Sequence, residues 1–150
     1  MMKDKIEVYL SSLKEDDTNF IYDNITLLTD GKYFFKKEEF LSFLKTISSS
    51  EIWILKYNKD FAGYLILNKL AMPRYIGYTL DIEEIVITSK HQNKGLGRLF
   101  LEEIITNKSL DKMARKISIK SNDINGSCKL YNIVFEASDF IYFSKFLNKI

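Results

Sequence analysis

Residues 80–100 read LDIEEIVITSKHQNKGLGRLF, and no other stretch restricts the possible folds of the chain as much. Its first half is rich in β-branched side chains: Ile82, Ile85, Val86, Ile87 and Thr88 form an apolar run about as long as a buried strand. After the glycines, Leu99, Phe100, Ile104 and Ile105 recur at helical spacing. Between the two halves lies a polar loop, Gln92, Asn93, Lys94, Gly95, Leu96 and Gly97, with Arg98 directly behind it. Such a loop at a helix start can turn several backbone N–H groups toward one point, where the helix dipole also favours an anion. The stretch therefore reads as a phosphate cradle; an ordinary strand–loop–helix connection is the plainer alternative.

The spacing excludes two familiar cradles. A dinucleotide fingerprint needs a third glycine where Phe100 stands, and a P-loop needs Lys-Ser/Thr where Arg98 and Leu99 stand. Gln/Arg-x-x-Gly-x-Gly/Ala after a strand does fit, and on these residues the sequence resembles the GNAT superfamily of acetyl-CoA-dependent N-acetyltransferases. The resemblance implies acetyl-CoA as acyl donor, with the amides of residues 92–98 at its pyrophosphate. It also implies that Ile85, Val86 and Ile87 contact the cofactor's pantetheine arm through their backbones.

Composition narrows the function classes. At 150 residues, 46% hydrophobic and 28% charged, the chain is expected to be one globular domain, residues 1–150. A single Cys, Cys128, and a single His, His91, exclude an intrachain disulfide and a cysteine- or histidine-rich metal site. The net charge of +2 is too small to argue for a nucleic-acid partner. No apolar run approaches a membrane span, and no signal-peptide segment is present at the N-terminus, so a cytoplasmic protein without metal or membrane partner is expected.

Taken in order, alternation predicts a strand at 6–10 and periodicity predicts helices at 16–28 and about 36–47. Strands at 51–57 and 61–67 follow, joined by a short hairpin loop, and Gly63 suggests a bulge or a close backbone approach. Residues 68–77, with the only proline, read as a loop. The main strand at 78–88, the cradle and a helix to about 107 come next, then a strand at 116–121, a short helix through Tyr131 and a closing strand at 140–147. This order resembles the GNAT arrangement. It implies an α+β, three-layer α/β/α fold with a mixed, mostly antiparallel central sheet flanked by helices. Val134-Phe135 stands where that family often has Gly-Phe. An exposed strand or the aromatic C-terminus could pair two copies as a homodimer.

Acylating an amine first requires deprotonating it. An alkyl ammonium has a pKa near 10.4, so its neutral form lies about 4–5 kcal/mol uphill at pH 7. A carboxylate with a raised pKa can take that proton. Glu83 and Glu84 are adjacent in the main strand, and alternation places only Glu83 on the face of Ile85 and Ile87. Glu83 is the expected general base, with Asp81 and then Glu84 as alternatives. The resemblance implies an oxyanion-holding amide at Ile87, a hydrogen bond from Tyr131 to the departing sulfur, and a pantetheine contact or helix cap at Asn125. Lys94 and Arg98 could supplement the amides, and His91 reads as a surface contact ahead of the cradle. The expected activity is direct acetyl transfer to a primary amine, first of a small molecule. A protein lysine or N-terminus, or an acyl-CoA sensor without turnover, are the alternatives.

Overall fold

A computed structural model describes residues 3–120 and 127–135, together with Lys145 and Leu147. Five strands form one sheet in sequence order: β1 (Ile6–Leu10), β2 (Ser50–Tyr57), β3 (Asp60–Met72), β4 (Gly77–Ile87) and β5 (Ala114–Ile119). The first four run antiparallel to their neighbours, and β5 joins β4 in parallel. Helices α1 (Glu15–Asn24) and α2 (Lys37–Leu44) accompany one face, whereas α3 (Leu96–Ser109) and α4 (Ser127–Val134) pack on the other. The α+β layering expected from the sequence is therefore present. The closing strand expected at 140–147 lies outside the described residues except for Lys145 and Leu147.

Each face carries its own core. Leu55, Leu65, Leu67, Leu80 and Ile82 meet Leu96, Phe100, Leu101 and Ile104 of α3 on one side. Ile52, Ile54, Tyr64 and Val86 meet Ile21, Phe40 and Leu44 of α1 and α2 on the other. Alternation along β2 and β3 divides these side chains between the layers, as period-two patterning requires.

Two element boundaries differ from expectation. The first helix stops at Asn24 and tightens into a 3-10 turn at Ile25–Leu28, because Asn24 Nδ2 donates back to Phe20 O at 2.9 Å and competes with the helical ladder. Residues 68–77 are mostly strand, not loop: β3 continues to Met72, and only Pro73–Tyr75 turns before β4 begins at Gly77. Pairing of 68–72 with 77–81 satisfies backbone groups that a loop would leave to water.

Two bulges shape the middle of the sheet. Against β2, Ala62 is the extra residue of β3, since Leu55 faces Gly63 and Lys56 faces Phe61. Against β3, Glu83 is the extra residue of β4, since Ile66 faces Glu84 and Leu67 faces Ile82. Gly63 sits where β3 comes close to β4: a Cβ there would stand 2.6 Å from Val86 O and 2.8 Å from Ile87 Cδ1. Both expectations for Gly63 thus hold. Gly63→Ala is expected to destabilise the fold by about 1–3 kcal/mol, since backbone must move to admit the methyl group. Urea unfolding tests this, and an unchanged midpoint would show that the strands can part freely.

Candidate functional site

The site is built around the second half of β4. Pairing with β5 ends at Ile82 opposite Ile119. Beyond that point no strand among the described residues covers the edge of β4 that faces away from β3. Thr88 N donates to Ala62 O at 2.9 Å, so by antiparallel alternation Val86 and Glu84 direct their backbone groups to β3. Ile85 and Ile87 then direct theirs to the open edge. Gln92 Nε2 donates to Ile87 O at 3.0 Å, which confirms that side for Ile87. Val86 departs from the sequence expectation, because its amide and carbonyl belong to the ladder with Tyr64 and are turned away from any ligand along the open edge.

The loop that follows brings the helix start to this edge. Ser89–His91 make one 3-10 turn, Asn93 takes φ 61° and Gly95 takes φ 74° as the residue before α3. Among the described residues no side chain caps that helix, which leaves the amides of Leu96, Gly97 and Arg98 without a side-chain partner there. Gly95 supplies a left-handed backbone that L side chains rarely adopt. Gly97 is needed for closeness, since a Cβ there would stand 3.3 Å from Leu130 Cδ2 and 3.8 Å from Ile87 Cγ1. Helix α4 thereby presses on the start of α3, next to Tyr131, whose ring is edge-on to Phe135 with centroids 6.5 Å apart. Lys94 Nζ lies 5.1 Å from the Tyr57 ring centroid, and Arg98 Nε pairs with Glu102 at 2.9 Å. Asn125 lies outside the described residues.

His91 is not the surface contact its loop position suggests. It is buried, shares a hydrogen bond between Nδ1 and Thr88 Oγ1 at 2.8 Å, and meets the Tyr57 ring edge-on at 6.0 Å. Burial, then the positive charges of Lys94 and Lys90, hold its pKa below the ordinary value, with Asp60 opposing them. A neutral ring therefore fills the inside of the loop near pH 7. The sequence carries only one signal of this, a single histidine three residues after a threonine.

The bulge decides the carboxylates. Alternation put Glu83 on the face of Ile85 and Ile87, but the extra residue breaks the alternation, and Glu83 is exposed. Glu84 turns with Val86 toward the α1/α2 face, where Tyr64 OH donates to Glu84 Oε2 at 3.4 Å. Burial raises the Glu84 pKa, the Tyr64 hydrogen bond opposes the rise, and the neighbouring Glu83 charge adds to it. Burial first, and then the Glu84 charge, push the Tyr64 phenol upward, so it remains a donor. Asp81 shares the face of Glu84, and Ser118 Oγ donates to its Oδ1.

The comparisons with known proteins bear on the family and the fold. Residues 19–133 match the model of the acetyltransferase (GNAT) family. The chain belongs to that family. It is an acyltransferase by class. A ribosomal-protein-alanine N-acetyltransferase from Brucella melitensis biovar Abortus 2308 superposes with TM-score 0.80 at 14% identity, covering 96% of this chain and 100% of that one. A glucosamine-6-phosphate N-acetyltransferase from Arabidopsis thaliana gives TM-score 0.71 at 16% identity, covering 96% and 99%. An aminoglycoside acetyltransferase from an uncultured soil metagenomic sample, solved with sisomicin, gives 0.73 at 12%, covering 97% of each chain. At these identities the likeness is one of fold. No curated protein matches the sequence.

The raised Glu84 pKa has a consequence for stability. Between its unfolded and folded pKa values the folded chain holds a proton that the unfolded chain has released, so the group's stabilising contribution is complete below the unfolded value. It is lost as pH rises through the folded one. Glu84→Gln, which keeps a neutral hydrogen-bonding group, is expected to melt near wild type at acidic pH and above it at neutral pH. Thermal scans across that range check this, and a constant difference would mean that Glu84 does not titrate abnormally.

Proposed function

We propose that this chain, acting as one domain in the cytoplasm, transfers the acetyl group of acetyl-CoA directly to a primary amine of a small molecule. The observation that carries the reading is the line of backbone donors. The amides of Ile85 and Ile87 face the open edge of β4, and the uncapped amides of Leu96, Gly97 and Arg98 continue it at the start of α3. The first pair suits an amide-bearing arm and a thioester carbonyl, and the second suits a pyrophosphate, with Lys94 adjacent. Among the described residues no side chain caps the second set, and Gly97 lets Leu130 and Ile87 pack close to it. The residues present therefore fit coenzyme A.

The chain's own groups then divide the work. Glu84 takes the role for which the sequence suggested Glu83: its carboxylate accepts a proton from the substrate ammonium, and its raised pKa narrows the gap to that donor. The freed nitrogen lone pair forms the N–C bond while the Ile87 N–H donates to the carbonyl oxygen as it gains charge. As the C–S bond breaks, its electron pair leaves on sulfur, and the new amide nitrogen releases its second proton to solvent. Tyr131 is assigned as hydrogen-bond donor to that thiolate. Full proton transfer from an ordinary phenol to an ordinary thiolate would be uphill by about 2 kcal/mol, so donation without transfer suffices.

Thermal shift with acetyl-CoA, coenzyme A and ATP tests the donor: stabilisation by the first two is expected, and a shift with ATP alone would overturn the reading. Thiol release across a panel of amines then separates an enzyme from a binding module. Glu84→Gln is expected to lower kcat by about 10²-fold or more at neutral pH with the KM for acetyl-CoA kept, while Glu83→Gln stays near wild type. The reverse ranking would return the base to Glu83. Tyr131→Phe is expected to slow kcat by about tenfold with far-UV dichroism unchanged. An equally fast mutant would reduce Tyr131 to packing.

A further inference from the structure

The sheet face that carries Glu84 holds a row of polar side chains, one from each of four strands. Ser50 of β2 pairs with Asn68 of β3, Asn68 with Asp81 of β4, and Asp81 with Ser118 of β5. All four are half-buried. Ser50 Oγ donates to Asn68 Oδ1 at 2.5 Å, and Ser118 Oγ donates to Asp81 Oδ1. These bonds occupy one atom each of Asn68 and Asp81. Asn68 Nδ2 and Asp81 Oδ2 have no hydrogen-bond partner among the described residues.

The rest of that face follows a different pattern. The adjacent positions are Ile52, Ile66 and Glu84, then Ile54, Tyr64 and Val86, packed beneath α1 and α2. An apolar face interrupted by donors and a carboxylate, right beside the half-buried Glu84, is poorly suited to packing and well suited to a polar ligand. No Lys or Arg forms an ion pair with Asp81 among the described residues; Lys116, which shares its strand face, and Lys120 each have interactions of their own. Asp81 thus keeps Oδ2 as a second acceptor oxygen beside the one that Ser118 occupies.

Spacing links this row to the reaction. Asn68 and Ile66 are successive same-face positions of β3, and they face Asp81 and Glu84 respectively. The two carboxyl-bearing positions thus lie about 7 Å apart along the sheet. We infer that Asp81, with Asn68 and Ser118 beside it, forms the distal half of the acceptor site, and that the acceptor is a diamine. Its second ammonium rests on Asp81 while its first meets Glu84. This rests on the acetyl-transfer reading above and names the substrate class for it. Asp81 is then a binding residue that sets specificity, rather than the base.

The test compares three acceptors of one length in the thiol-release assay with acetyl-CoA: 1,4-diaminobutane, 1-aminobutane and 4-aminobutanoate. Their reacting ends match, and only the far end differs. Wild type is expected to favour the diamine over the monoamine by at least about tenfold in kcat/KM, and to disfavour the amino acid further. Asp81→Asn should bring the diamine-to-monoamine ratio toward one, mainly through the diamine's KM, and Asp81→Lys should make 4-aminobutanoate the better substrate. Asn68→Leu gives a second route to the same loss if the charge variants fold poorly. Equal kcat/KM for diamine and monoamine in wild type, or a ratio that Asp81→Asn leaves unchanged, would overturn the inference while acetyl transfer stands. Thiol release with none of these three while another amine of the panel discharges acetyl-CoA would overturn the diamine site alone, and release with no amine of the panel would overturn the transfer reading and the diamine site with it.

Discussion

The insertion of Glu83 into β4 is the constraint on which the rest of the site depends. Without the extra residue, strict alternation would carry the α3-facing series Tyr78, Leu80 and Ile82 on to Glu84 and Val86. With it, that series continues as Ile85 and Ile87, and the core beneath α3 stays apolar. The same shift turns Glu84 and Val86 to the opposite layer, where Tyr64 meets the carboxylate. A bulge also bends the strand that carries it, and here pairing with β5 ends at the residue before the insertion. One residue thus keeps the core apolar, turns the acid toward Tyr64 and accompanies the opening of the sheet edge.

The cradle depends on closeness as much as on the helix dipole. Gly63 lets β3 approach the end of β4, and Gly97 lets Leu130 and Ile87 approach the start of α3. Between them the loop is held from inside by His91 against Thr88 and Tyr57, and from its edge by Gln92 on Ile87 O. The amides at the helix start are aimed by packing around a buried neutral ring. Its charged neighbours Lys90 and Lys94 stay outside, where Lys90 pairs with Asp60.

Much of the fold was legible in the sequence. The β-branched run, the two glycines and the helical repeat of residues 80–105 marked strand, loop and helix, and the structure has all three in that order. Gly63 announced a close approach, and the structure has both that approach and a bulge beside it. Other features were not legible. The polar and weakly apolar residues 68–72 look like loop because their strand is half-exposed and lacks a continuous buried face. His91 looks like surface because a lone imidazole in a polar loop carries no periodicity to betray its burial.

The sequence by itself determined the order of elements and the two-layer division of apolar side chains, because those follow from periodicities of 2 and 3.6 that each segment carries locally. It also determined the tight loop before α3, because glycine spacing is local too. Only the tertiary structure decided which carboxylate turns inward to meet Tyr64. Glu83 and Glu84 are chemically alike and adjacent, and the choice between them is set by how Ile66 and Leu67 of another strand register against β4. The row from Ser50 to Ser118 was hidden for the same reason: its members are 18, 13 and 37 residues apart in sequence and become neighbours only through strand pairing.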